Sequence, residues 1–200
     1  AGRIALAAGD IDRALRYFSA APGERGGESW KYRALYGRAR AYAASGSPAR
    51  AAEILRPVSA HADGERPADD ERARIDSRFS RALFIEEAGR SEEAYAAFRA
   101  FAESGDGERS GRRAESWARA SALALRLGRD EEAAEVAEKS VDADPGGRFS
   151  AECTARSAAV AARAGRPRDA RAGYRRAAEL LASGLGGART TSSNGQASRP

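Results

Sequence analysis

Five glycines recur in one local context along this chain: AAGDIDRA at Gly9, ASGSPARA at Gly46, EAGRSEEA at Gly89, RLGRDEEA at Gly128 and RAGRPRDA at Gly165. They lie 37, 43, 39 and 37 residues apart. A period in this range marks an array of small supersecondary units rather than one globule built around a single core. Five residues after each glycine stands an alanine: Ala14, Ala51, Ala94, Ala133 and Ala170. Nine residues after it stand Phe18, Leu55, Phe98, Ala137 and Tyr174, large and apolar except at Ala137. The alanine match alone would mean little in a chain this rich in alanine. It carries weight because the neighbouring positions agree.

Each unit reads as a helix hairpin. A glycine ends a helix in the left-handed conformation without a Cβ penalty. Start signals for a second helix follow at once: Asp10, Ser47 with Pro48, Ser91, Asp130 and Pro167. The alanine lets two helices approach closely, and the large residue four positions on shares its face. Breaker-rich loops at 22–29, 61–70, 105–111 and 144–148 separate the units. The first hairpin is short at its start. Later ones are expected at 29–45 with 47–60, 70–88 with 91–104, 112–127 with 130–143, and 149–164 with 167–183. The pattern assigns Tyr174 to the core. Residues 184–200 hold Gly, Ser and Thr with little apolar, and are expected to form a disordered tail or linker.

At these positions the chain resembles a tetratricopeptide repeat array. The resemblance rests on the turn glycines, the alanine five later and the large residue nine later. Trp117, eleven before Gly128, and Pro145 in DADP stand where that family often has Trp and a closing Pro. It covers residues 1–183. The period averages 39 rather than about 34. The family's small residue seven before the glycine appears as Gly2, Ala39, Ala82 and Ala158, but as Ser121 in the fourth unit. The longer period is similar to arrays in bacterial signalling proteins, such as MalT-like regulators and kinase-linked segments.

The resemblance implies an all-α, right-handed solenoid of about five stacked hairpins, with the first helix of each lining a concave side. It implies groove-facing positions ten, six and three residues before each glycine. These include Tyr36 and Arg40 in the second unit, Phe79, Leu83 and Glu86 in the third, and Leu125 in the fourth. The expected occupant is another protein, as an extended peptide or a helix anchored on the aromatic and apolar side chains. The family's chaperone-binding version, with groove Lys and Asn on a terminal carboxylate, does not fit. No Asn precedes Asn194, and the two lysines, Lys31 and Lys139, lie elsewhere.

Composition removes other classes. One Cys (Cys153) and one His (His61) cannot make a zinc site, a redox pair or a disulfide, so no metal or cofactor is expected. His61 reads as a solvated loop residue and Cys153 as a buried small hydrophobe. The Asp142–Gly147 run lacks the Glu a calcium loop needs, since Cys153 stands at that place. No phosphate loop or nucleophile–base pair occurs, and the chain is read as no enzyme. No apolar run approaches the roughly 20 residues that cross a bilayer. No signal peptide is visible, so a cytoplasmic place is expected, with the mid-helix start at Ala1 suggesting a piece of a longer protein.

The net charge of +5 is unevenly placed. Residues 148–200 carry ten Arg against Glu152, Asp169 and Glu179. Arg168, Arg171 and Arg175 fall on one helix face with Arg176 beside them, a basic patch open to nucleic acid or an acidic protein. Stacking aromatics are missing there apart from Tyr174, which ranks nucleic acid low. The readings stand in order: a protein-interaction scaffold, a regulatory segment of a larger bacterial signalling protein (kinase, ATPase or transcription activator), then a nucleic-acid binder. Self-association through an exposed end repeat is also expected.

Overall fold

The computed structural model describes residues 1–20, 27–59 and 68–193. His61 and most of the loops expected at 22–29 and 61–70 lie outside them. Within them the chain is helical, with no strand. The helices are α1 (Gly2–Ala7), α2 (Ile11–Ser19), α3 (Gly27–Ala44), α4 (Pro48–Ser59), α5 (Ala68–Glu87), α6 (Ser91–Glu103), α7 (Gly105–Arg109), α8 (Arg113–Arg126), α9 (Asp130–Ala143), α10 (Ser150–Arg163) and α11 (Pro167–Ser193).

All five repeat glycines have positive φ, between 71° and 78°. Around Gly128, the Arg129 N–H donates to the Ala124 carbonyl at 2.9 Å and the Gly128 N–H to Leu125 at 3.1 Å. The same pair of bonds closes the first helix of every other hairpin. This double closure satisfies carbonyls that a helix end leaves open, and it requires one left-handed residue. Space is not the reason for glycine: nothing lies within 4 Å of where a Cβ would sit at any of the five. The alanines five residues on are buried, four of them completely and Ala170 to 5% exposure.

The helix starts are less uniform than the sequence suggests. Asp10 caps α2, its carboxylate accepting from the Arg13 N–H at 3.0 Å. Ser91 and Asp130 are already the first helical residues, and Arg90 and Arg129 hold the cap positions without a side-chain bond. The acids of those first turns, Glu92 with Glu93 and Asp130 with Glu131 and Glu132, sit where the helix dipole favours negative charge.

The chain forms two compact units, residues 1–110 and 111–200. In the first, α1 to α7 pack in chain order, with α3 also against α5. Its first hairpin closes around Ala5, Ala14 and Ala41, flanked by Leu6, Ile11, Leu15 and Phe18. The Phe18 ring fills the space where Gly2 or Gly37 would carry a Cβ. In the second unit, α8 packs on α9, α9 on α10 and α10 on α11, around Ala118, Ala137 and Cys153. Cys153 is fully buried, and burial pushes its thiol pKa up. That leaves it a hydrophobe rather than a nucleophile.

Three expectations change. The loop at 105–111 contains the short helix α7, because Asp106 is drawn inward to arginines of α5. Tyr174 is 47% exposed rather than core, since no helix follows α11 among the described residues to cover it. The last helix continues past 183 to Ser193, into the segment expected to be a tail. Extending an existing helix needs no new nucleus. Residues 194–200 lie outside the described ones.

Candidate binding site

In the first unit α3 and α5 run side by side. Tyr36 on α3 is half-buried, and the Ser80 hydroxyl of α5 lies 3.5 Å from its hydroxyl. Arg40, one turn further along α3, is exposed, with its guanidinium 6.0 Å from the Tyr36 ring. On α5, Leu83 and Glu86 follow Ser80 at intervals of three and are half-buried. Tyr36, Arg40, Leu83 and Glu86 thus occupy neighbouring faces of two packed helices. Ser80 is a member the sequence pattern missed. It lies one residue from an expected groove position, and its small side chain lets the tyrosine hydroxyl come close.

Phe79 is not part of this surface. It is 3% exposed, its ring 5.9 Å from Phe98 in an edge-on contact and 5.4 Å from Phe101. The groove position predicted for it is corrected: an aromatic ring facing two others gains more by burial than by standing in solvent. Leu125 is half-buried on α8 and belongs to the second unit.

A second cluster lies at the start of α5. Arg74, 1% exposed, donates to Asp106 at 2.6 Å and to Glu71 at 2.9 and 3.0 Å. Arg78 also pairs with Asp106, and Arg109 reaches Asp106 at 2.8 Å and Glu71 at 3.2 Å. Burial alone would raise the Asp106 pKa, but hydrogen bonds from Arg74 and Arg109 and the arginine charges hold it below the ordinary carboxylate value. Glu71 is lowered chiefly by its hydrogen bond from Arg74. Gly107 lets this turn lie against α6, since a Cβ there would meet the Phe101 carbonyl at 2.6 Å. These groups pair with one another, and the cluster ties α7 to α5.

On α11, Arg168, Arg171 and Arg175 are exposed, and Arg176 pairs with Glu179 at 3.5 Å. Among the described residues no group of three or more potential metal ligands occurs, and no helix is long and apolar enough to cross a membrane.

No protein-family model matches the chain, and no curated protein sequence does. Solved structures do resemble it. A crystal structure of MamA superposes with a TM-score of 0.67 at 14% identity, covering 92% of this chain and 96% of that one. A structure of YrrB, described as a TPR protein with an unusual peptide-binding site, gives 0.60 at 14% identity over 90% of this chain and 82% of that one. TPR-like repeats of a putative kinesin light chain from Podosopora anserina give 0.62 at 18% identity over 91% and 92%. The fold is therefore an all-α solenoid of tetratricopeptide type.

Proposed function

We propose that this protein is a non-enzymatic scaffold that holds another protein, as an extended peptide or a helix, on the α3–α5 surface of its first unit. The observation carrying this is the pairing of half-buried Tyr36 and Leu83 with the charged groups of Arg40 and Glu86 on adjacent helices. An apolar anchor of a partner fits between the first two, and the charged pair sets direction. YrrB, of similar fold, carries a peptide-binding site. A photo-crosslinking residue placed at Leu83 should trap a partner segment that the same residue at exposed Glu87 does not. Tyr36→Asp should abolish capture while circular dichroism keeps its helical signal. Equal trapping from both positions would reject the surface. A regulatory role within a larger signalling protein would use the same surface, with the bound segment coming from the protein's own catalytic part.

A further inference from the structure

Between α9, α10 and α11 the second unit has a groove of about 380 Å3. Val141, Ala158, Ala161 and Gly173 line it. Gly173 is the residue that fits there, because a Cβ would meet that of Ala158 at 2.7 Å. The lining is acidic. Glu138 and Asp142 stand four residues apart on α9, hence on one side of that helix, and Asp169 stands on α11. The single cation of the lining, Arg166, is 3.6 Å from Asp169. Glu138 and Asp142 are exposed and make no ion pair or hydrogen bond among the described residues. Several other acids of this unit are engaged: Glu135 by Lys139 and Asp130 by Arg163 on α9, and Glu152 by Arg156 on α10.

Next to this groove the same unit carries the opposite surplus. Ala170 and Ala177 turn α11 toward α10, so Arg168, Arg171 and Arg175 project from its outer side. All three are exposed and make no ion pair among the described residues. The chain therefore displays unmatched carboxylates in a groove and unmatched guanidinium groups on a helix bordering it.

We infer that these are the two halves of one interface, and that the groove takes the α11 arginine face of a second copy of this chain. Because both halves belong to one unit, a two-fold arrangement engages both at once, each copy giving arginines and receiving them. The arginine stems lie along the alanine and glycine floor, and their heads reach Glu138 and Asp142. This contact uses no residue of the α3–α5 surface, so either reading can fail without the other.

Sedimentation velocity on the whole chain over a range of concentrations tests it. At low salt a reversible dimer is expected, and it should weaken steeply as salt screens the exposed charges. The double variants Glu138→Arg with Asp142→Arg, and Arg171→Glu with Arg175→Glu, should each raise the dissociation constant about tenfold or more. Mixed in equal amounts, the two variants should form a heterodimer, because the basic groove of one then meets the acidic face of the other. Every substituted side chain is exposed, and unchanged melting by circular dichroism would confirm that each variant is folded. A wild-type chain that stays monomeric at low salt overturns the inference, as does a mixture that stays monomeric. Oligomers that persist in both variants overturn it as well, and point to the exposed Ile4 and Tyr17 of the first hairpin. A monomer whose binding to duplex DNA is lost on Arg171→Glu with Arg175→Glu assigns that face to nucleic acid instead.

Discussion

In the hairpin of α5 and α6, the position ten before the turn glycine is Phe79 and the position nine after it is Phe98, and their rings meet edge to face. In the hairpin of α8 and α9 the same two positions hold Ala118 and Ala137, both buried. Seven before the glycine, the third hairpin has Ala82 and the fourth Ser121, whose hydroxyl donates to the Ala133 carbonyl across the seam at 2.7 Å. Ser140 makes a second such bond to the Ala114 carbonyl at 2.8 Å. The first unit also carries the buried Arg74–Asp106 cluster, whereas the α8–α9 seam is tied by neutral hydroxyl-to-carbonyl bonds. One backbone frame thus accepts large rings and ions in one place, and methyl groups and hydroxyls in another. Closure of the turn and the small-residue seam are common to both, and the contact chemistry is what varies.

The largest difference between the two regions should appear at Asp106. Asp106→Asn leaves Arg74 buried with half its counter-charge and should cost about 3–5 kcal/mol, read by urea denaturation. Hydrogen exchange should place the loss in α5 to α7 and spare α8 to α11. Acid should act on the same region. Asp106 and Glu71 have depressed values when folded, so their stabilisation is full above the unfolded carboxylate value of about 4 and fades as pH falls through the folded values. Lowering the pH below about 4 should release α7 before the second unit, as followed by exchange. The shared turn predicts equality instead: Gly89→Ala and Gly128→Ala should each cost about 1–2 kcal/mol, the penalty of a left-handed alanine. Unequal costs would show that the two turns are not interchangeable. The smallest effect belongs to Ser121→Ala, about 1 kcal/mol from one lost hydroxyl bond, with no counterpart at Ala82.

The hairpins were legible because their cause is local. A glycine that must take φ near 75° and an alanine that must be small leave a mark at fixed spacing, and the predicted helices after the first hairpin are found within a few residues, except that the last runs on to Ser193. The α7 helix was not legible, because Asp106 finds Arg78 and Arg74 at 28 and 32 residues' distance, and nothing in GDGER announces those partners. Phe79 was misplaced for a related reason. Repeat register says which side of a helix a residue takes, but not whether the facing helix brings Phe98 and Phe101 to meet it. Tyr36, Arg40, Leu83 and Glu86 come from the same register and fall on the partly open faces of α3 and α5. The acidic groove depended on which charges stay unmatched after folding, a property of the finished packing.

The open space around each turn glycine bears on how such a chain diverges. Each hairpin asks for one backbone angle and one missing methyl group, and no neighbour presses on the bend. Drift at most other positions is then tolerated so long as volumes balance, as Phe79 with Phe98 and Ala118 with Ala137 do within this molecule. A chain built this way can share 14% of its residues with MamA and still trace the same path.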